Sequence, residues 1–464
     1  MADGVTERAR AAAVGWGAVQ AGLIGFAAVA PLMPTNDLKV DFTLLSALLS
    51  LVGLYGLWRG GIRASRSRLD LPLVAFLLAM ALATLLAPRP FLSFFPSRSR
   101  GDGFLTYVAY LLMAWTATRL PPQRLQPVLK VIVASAALIG AIGLAQYYGA
   151  DPLGWVGFRP VDPAAFFGVI PDPSRGRPYF GWRAFATLGN PVFLGGYTLL
   201  LIPVLLAALL TSSEARARRS FLLGILALVY GALVASGTRA AFAGFVLAVL
   251  VLVVRPPRHP MPRKPALGVG ACLGALTILL TLTGPGGELV GRTTGDLGTD
   301  NSLRMKLFVW KHILPLIADR PLFGWGLSSL AGRLPGLGSR EYFELYGFAL
   351  SGIDTAHNEV LHIAFSAGLF GLAAYLWIWL VVLRSLLATV RAGGEAQRVG
   401  TGLLAGLAGY ALWLQSAWSH IGPANVFWTV AGLALSVRHL PGGEHTSQGG
   451  AGAHDGTPGW GGGP

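Results

Sequence analysis

Apolar runs of roughly 20 residues, enough to cross a bilayer, recur along this chain between short polar segments. Twelve are predicted, near residues 11–31, 42–58, 70–88, 103–118, 127–148, 187–210, 219–236, 238–254, 266–284, 357–383, 399–418 and 422–437. Glycine and proline split several of them, which leaves the count open by one or two. The pattern predicts an all-α polytopic membrane protein. Two polar stretches are much longer than the rest, 149–186 and 285–356, and stretches of that length usually carry function or disorder. Within the second, SLRMKLFVWKHILPLI repeats Leu303, Leu307, Trp310 and Leu314 at helical spacing. It is expected to lie along the outer membrane–water interface. The following ADRPLFGWGLSSL predicts a Pro–Gly turn that folds the loop back over the bundle. The chain thus divides into a short N-terminus (1–10), a membrane domain (11–440) and a Gly-rich tail (441–464) expected to be disordered.

Composition removes the soluble alternative. Hydrophobic residues make up 53% of the 464 and charged residues only 12%, with mean hydropathy +0.59, where a soluble chain carries about 25% charged residues. The net charge of +15 rests mostly on arginine, since there are only five lysines. Arginines recur in alternate short loops, around Arg59–Arg68, Arg119–Arg124, Arg216–Arg219, Arg255–Arg263 and Arg384–Arg398. This places both termini in the cytoplasm. Basic charge therefore serves topology and anionic lipid contact, and nucleic acid is not implied. A lone Cys272 excludes an intramolecular disulfide and a Cys-based metal site. The N-terminus lacks a cleavage signature and is read as a retained first span.

Chemistry is narrowed first by what is missing. There is no G-x-x-x-x-G-K-[ST] loop, no His/Cys cluster of metal spacing and no D-x-D pair. An enzyme here would work without ATP, and neither a cofactor nor a metal is indicated. In SGTRAAFAGF, Arg239 sits at a very short outward connection. It either snorkels to the interface or presents a planar fork to phosphate oxygens. Arg304, after a cap at Asn301 or Ser302, occupies the first turn of a helix. A cation there opposes the helix dipole unless an anion sits nearby; a plain surface arginine is the other reading. Arg183 precedes the helix start Thr187, Gly189, Asn190, Pro191, which attracts anions or is simply capped.

TAHNEV, residues 355–360, stands at the mouth of a span. With Asp354 or Thr355 as N-cap, His357 falls in the first turn, where the dipole keeps its ring neutral and able to accept a proton. Asn358 and Glu359 are its supporting neighbours. His362 is a candidate second partner, and His420 is read as structural. One base and several arginines on one face suggest transfer of a group away from a lipid diphosphate.

These same residues carry a resemblance. RAFATLGNPVFLGGY, SGTRAAFAGF, LRMKLFVWKHILPLIADRPLFGWGLSS and HNEVLHIAFSAGLFGL resemble the successive blocks of the O-antigen ligase/O-antigen polymerase superfamily, over roughly residues 85–435. The first departs from that family's GNPN block at Val192. The resemblance implies a metal-independent, GT-C-like glycosyltransferase of the bacterial inner membrane, with one large periplasmic loop containing short helices. It implies a donor glycan on undecaprenyl pyrophosphate and an acceptor that is another glycan or the lipid A core. It implies that Arg239 and Arg304 contact the diphosphate, that His357 is the essential histidine, and that Arg183 matches a less uniform basic position. It leaves ligase, polymerase and protein glycosyltransferase open. A transporter or flippase is the alternative class.

Overall fold

In the computed structural model, the described residues are 2–97, 100–155, 183–211, 216–255, 263–283, 301–334 and 353–440, with 285, 290, 340, 341 and 343. Most of the first long polar stretch, including Arg159, Arg175 and Arg177, and part of the second, including Arg292, lie outside them, as does the tail 441–464. The described residues contain helices and no strand. In chain order the helices are α1 (Ala2–Ile24, continued by Gly25–Leu32), α2 (Asn36–Arg59), α3 (Asp70–Leu85), α4 (Pro90–Phe94), α5 (Phe104–Ala117), α6 (Pro122–Tyr147) and α7 (Pro152–Trp155). There follow α8 (Pro191–Thr211), α9 (Arg216–Ser236), α10 (Arg239–Val254), α11 (Arg263–Leu282), α12 (Asn301–Asp319), α13 (Glu359–Thr389), α14 (Gly394–Trp413) and α15 (Ile421–Ser436).

Every apolar run read from the sequence overlaps a helix. Six of these elements are long and apolar enough to cross a membrane, and α3, α5, α10 and most of α11 are shorter apolar helices. The chain is a multi-pass membrane protein. Backbones approach closely where glycine removes the side chain: a Cβ on Gly244 of α10 would meet Gly409 O of α14 at 2.6 Å. Small residues at such crossings are how helices associate in lipid, where apolar side chains have no water to escape. In the middle of the bundle Trp428 stacks on Phe76 (6.1 Å) and Tyr110 (6.2 Å).

α13 is broken. Gly368 has φ +66° and ψ −169° inside it, a conformation open only to glycine. The break frees backbone groups, and the 321–326 turn takes them. Trp325 N donates to Phe365 O (2.8 Å), Gly326 N to Ser366 O (2.9 Å), and Leu369 N to Pro321 O (2.7 Å). This is the Pro–Gly turn read from the sequence, folded onto the bundle.

α12 is helical, as its spacing predicts, and it has a second apolar stripe: Leu307 and Leu314 are exposed while Phe308, Val309, Ile313 and Leu316 are buried. The helix carries two apolar stripes, and packing against Trp325, Leu330 and Phe365 selects the second.

Gly368→Ala is expected to lower thermal stability, by about 1–3 kcal/mol or more. A Cβ there would lie 2.2 Å from Leu322 O. Gly268→Ala in α11, with nothing within 4 Å, is expected to be neutral or slightly stabilising. Detergent-solubilised protein followed by tryptophan fluorescence during heating would check both.

Candidate functional site

The loops at one end of the bundle meet around His357. Its backbone has φ +49°, uncommon for a residue with a Cβ. Asn358, not Asp354 or Thr355, is the N-cap of α13: its Oδ1 accepts from Leu361 N at 3.1 Å. The reason is that Asp354 is taken by Arg100, whose Nε donates to Oδ2 at 2.7 Å, while Thr355 is buried. Asn358 is further fixed by its Nδ2, which donates to Gln415 O at 3.0 Å. His357 therefore stands just outside the helix rather than in its first turn.

Its neutrality has a different origin from the helix dipole. Desolvation, then the charges of Lys306, Arg100 and His362, push the His357 ring from 6.5 down to about 3. The ring stands edge-on to Trp418, centroids 4.8 Å apart at 87°. Trp418 also faces the Arg100 guanidinium at 5.3 Å, a cation–π contact. The neighbouring Ala356 O accepts from Trp310 Nε1 of α12 at 2.9 Å.

Glu359 opens α13 and is buried. Its carboxylate accepts from Ser419 N (2.7 Å) and Ser419 Oγ (2.6 Å), and its own N–H donates to Leu414 O (2.9 Å). It thus clamps the 414–419 loop, which carries Trp418 to the His357 ring. One turn on, His362 Nε2 lies 3.8 Å from Asp102 Oδ2. His420 stacks on Phe193 with centroids 3.8 Å apart, as a packing residue would.

The arginines are placed unequally. Arg183 Nε donates to Ser236 O (2.8 Å) and its Nη2 to Thr238 Oγ1 (3.2 Å). Gly237, at φ +55°, lets the chain turn there, and Arg239 follows as the first residue of α10. So Arg183 is fastened to the turn that presents Arg239. Thr238 Oγ1 donates to Pro191 O (3.0 Å), at the start of α8, where Asn190 Oδ1 caps Val192 N (2.8 Å). Phe193, one residue on, meets Trp418 edge-on at 5.1 Å. A continuous contact path therefore joins the Arg183–Arg239 turn to His357. Arg304 is exposed in the first turn of α12. At 100° per residue it points away from the flank of Lys306; Lys306, not Arg304, is the α12 cation that acts on His357.

Residues 222–376 match a family model described as O-antigen ligase. Over that segment the chain is similar to the O-antigen ligase/O-antigen polymerase superfamily. No curated protein matches it. The matched segment contains Arg239, Arg304, His357, Asn358 and Glu359, and leaves Arg183 outside.

Beyond the matched segment, the site draws in residues that the sequence reading passed over. Arg100 and Asp102 come from the α4–α5 loop, far upstream of the match. Trp418 and Ser419 come from beyond its end. Among the described residues, Ser97 Oγ, Asp354 Oδ1, Thr355 Oγ1 and His362 Nδ1 are buried here without a hydrogen-bond partner. The signal for Arg100 was available: in the topology expected from the sequence its loop falls on the outer side, against the positive-inside bias.

The lowered His357 pKa has a sign. The unfolded ring takes its proton near 6.5 and the folded one near 3. Its contribution to stability is therefore complete above 6.5 and is lost as pH falls from 6.5 toward 3. His357→Gln is expected to flatten the decline in melting temperature between pH 6.5 and 4. An unchanged acid slope would show that the ring is not held neutral by its surroundings.

Proposed function

We propose that the protein is a glycosyltransferase of the inner membrane that moves a glycan from undecaprenyl pyrophosphate to an acceptor hydroxyl at the periplasmic face. The single observation that carries this reading is the contact path from the Arg183–Arg239 turn to a neutral His357 at one end of the bundle. In it, the acceptor oxygen attacks the anomeric carbon, the C–O bond to the diphosphate breaks, and the pyrophosphate leaves with its electron pair. The acceptor proton passes to His357. Arg239 and Arg183 hold the leaving group, and Arg304 meets the donor where it enters along α12. Direct attack by an activated hydroxyl inverts the anomeric centre. No nucleotide, cofactor or metal is required by this scheme, because the donor carries its own activation.

Charge links the two halves. A ring titrating near 3 is a weak base, and bases act best near the operating pH. The diphosphate brings negative charge toward the same cations that depress His357, so donor binding raises its pKa. The base is armed when the donor is in place. Membrane lipid surrounds the polyprenyl tail, and all twelve apolar helices span a GT-C-like bundle with both termini cytoplasmic. Acceptor choice among a second lipid-linked glycan, the lipid A core and protein lies in the long loops.

One observation favours a second reading. A broken helix such as α13 is a device of transporters, and a flippase for the same lipid would also use outward arginines. Its break, however, is filled by the chain's own 321–326 turn.

Purified protein given undecaprenyl-pyrophosphate-linked glycan, candidate acceptors and EDTA, without ATP, is expected to form product. His357→Ala is expected to lose about 10²-fold or more, and Arg239→Ala at least about tenfold. Equal product from all three would overturn the site. Movement of intact lipid between vesicle leaflets, with no transfer, would favour the flippase.

A further inference from the structure

The opposite end of the bundle holds a second feature, independent of the transfer site. α5 starts beside Asp102 and runs about 21 Å at 1.5 Å per residue, away from His357. At its far end a cavity of about 560 Å³ opens between α1, α2 and α5. Its walls are apolar and aromatic, with Trp16, Trp58 and Trp115 around Leu57; its rim carries Arg63, Ser65 and Arg119.

The surroundings identify the occupant's two ends. α2 exposes Leu45, Leu48, Val52 and Tyr55 at helical spacing, and this stripe ends at Trp58 on the cavity wall. A surface of that kind faces hydrocarbon, and tryptophan belongs at the level of lipid headgroups. At the rim the charges are unequal. Arg119 is spent on Asp70, with which it makes bonds of 2.6 and 2.8 Å, and lies over Trp115 at 3.9 Å. Asp70 is the only acid between residues 59 and 70, against Arg59, Arg63, Arg66 and Arg68. Arg63 is thus an exposed cation over an apolar, tryptophan-lined slot.

We propose that this cavity binds an anionic phospholipid, with the phosphate at Arg63 and Ser65 and an acyl chain running along Leu57 and Trp58. Basic pockets between membrane helices recognise headgroups in this way. The site lies at the end where the arginine-rich short loops converge, as the Arg119–Asp70 pair between two of them shows, so the lipid belongs to the leaflet facing those loops.

Native mass spectrometry of the full-length protein, titrated with phosphatidylglycerol or phosphatidylcholine of the same acyl chains, tests this. Phosphatidylglycerol is expected to bind preferentially. Arg63→Ala is expected to weaken it about fivefold, while Arg66→Ala, an equal charge change beyond the cavity rim, has a clearly smaller effect. Millimolar inorganic phosphate is expected to leave the lipid bound. The assignment is overturned if the two lipids bind alike, if Arg63→Ala has no effect, or if both arginine variants act equally. It is also overturned if inorganic phosphate displaces the lipid, since that would mark a free-anion site.

Discussion

The break at Gly368 is the constraint on which the His357 end of the molecule depends. Within a bilayer, free N–H and C=O groups have no water to satisfy them, so a helix can be interrupted only where other protein groups take their place. The 321–326 turn does this with four backbone hydrogen bonds to α13. Having been drawn into the bundle, that turn holds the C-terminal end of α12 through Trp325, whose Nε1 donates to Leu316 O at 2.7 Å. α12 in turn reaches Ala356 through Trp310. The histidine's backbone is therefore positioned by a chain of contacts that begins at one glycine.

A second constraint is electrostatic. His357 sits among Arg100, Lys306 and His362, a cationic setting that would be costly to leave without anions. Asp354 answers Arg100 and Asp102 lies near His362; Glu359 is held apart by Ser419. What remains is a neutral imidazole facing positive charge, an arrangement suited to a substrate that is strongly anionic on one side and hydroxylic on the other. The cavity at the far end has the same two ingredients, arginine and aromatic surface, and no histidine or carboxylate lines it.

Much of the fold was legible because bilayer-length apolar runs admit few structures, and the helix start at Asn190–Pro191 was legible because its cap is local. The choice among Asp354, Thr355 and Asn358 as N-cap was not, since a partner some 250 residues away decides it. The buried face of α12 was hidden for a related reason: stripes that face protein and stripes that face lipid are both apolar, so periodicity alone cannot rank them. Gly368 lies in SAGLFG, which reads as uninterrupted helix until the turn at 321–326 is packed against it. Arg100 escaped notice because its loop is short, although the positive-inside argument applied to it as fully as to Arg183 and Arg304.

The central proposal is that a diphosphate held by Arg183 and Arg239 lies on the path to His357, which takes the acceptor's proton. Cryo-electron microscopy of the full-length protein in a lipid nanodisc containing undecaprenyl pyrophosphate tests it most directly. The account requires diphosphate density against the Ser236–Arg239 turn, within reach of Arg239 and on the side that leads past Phe193 and Trp418 to His357. Density that is well resolved elsewhere, with that turn and His357 left empty, would contradict it.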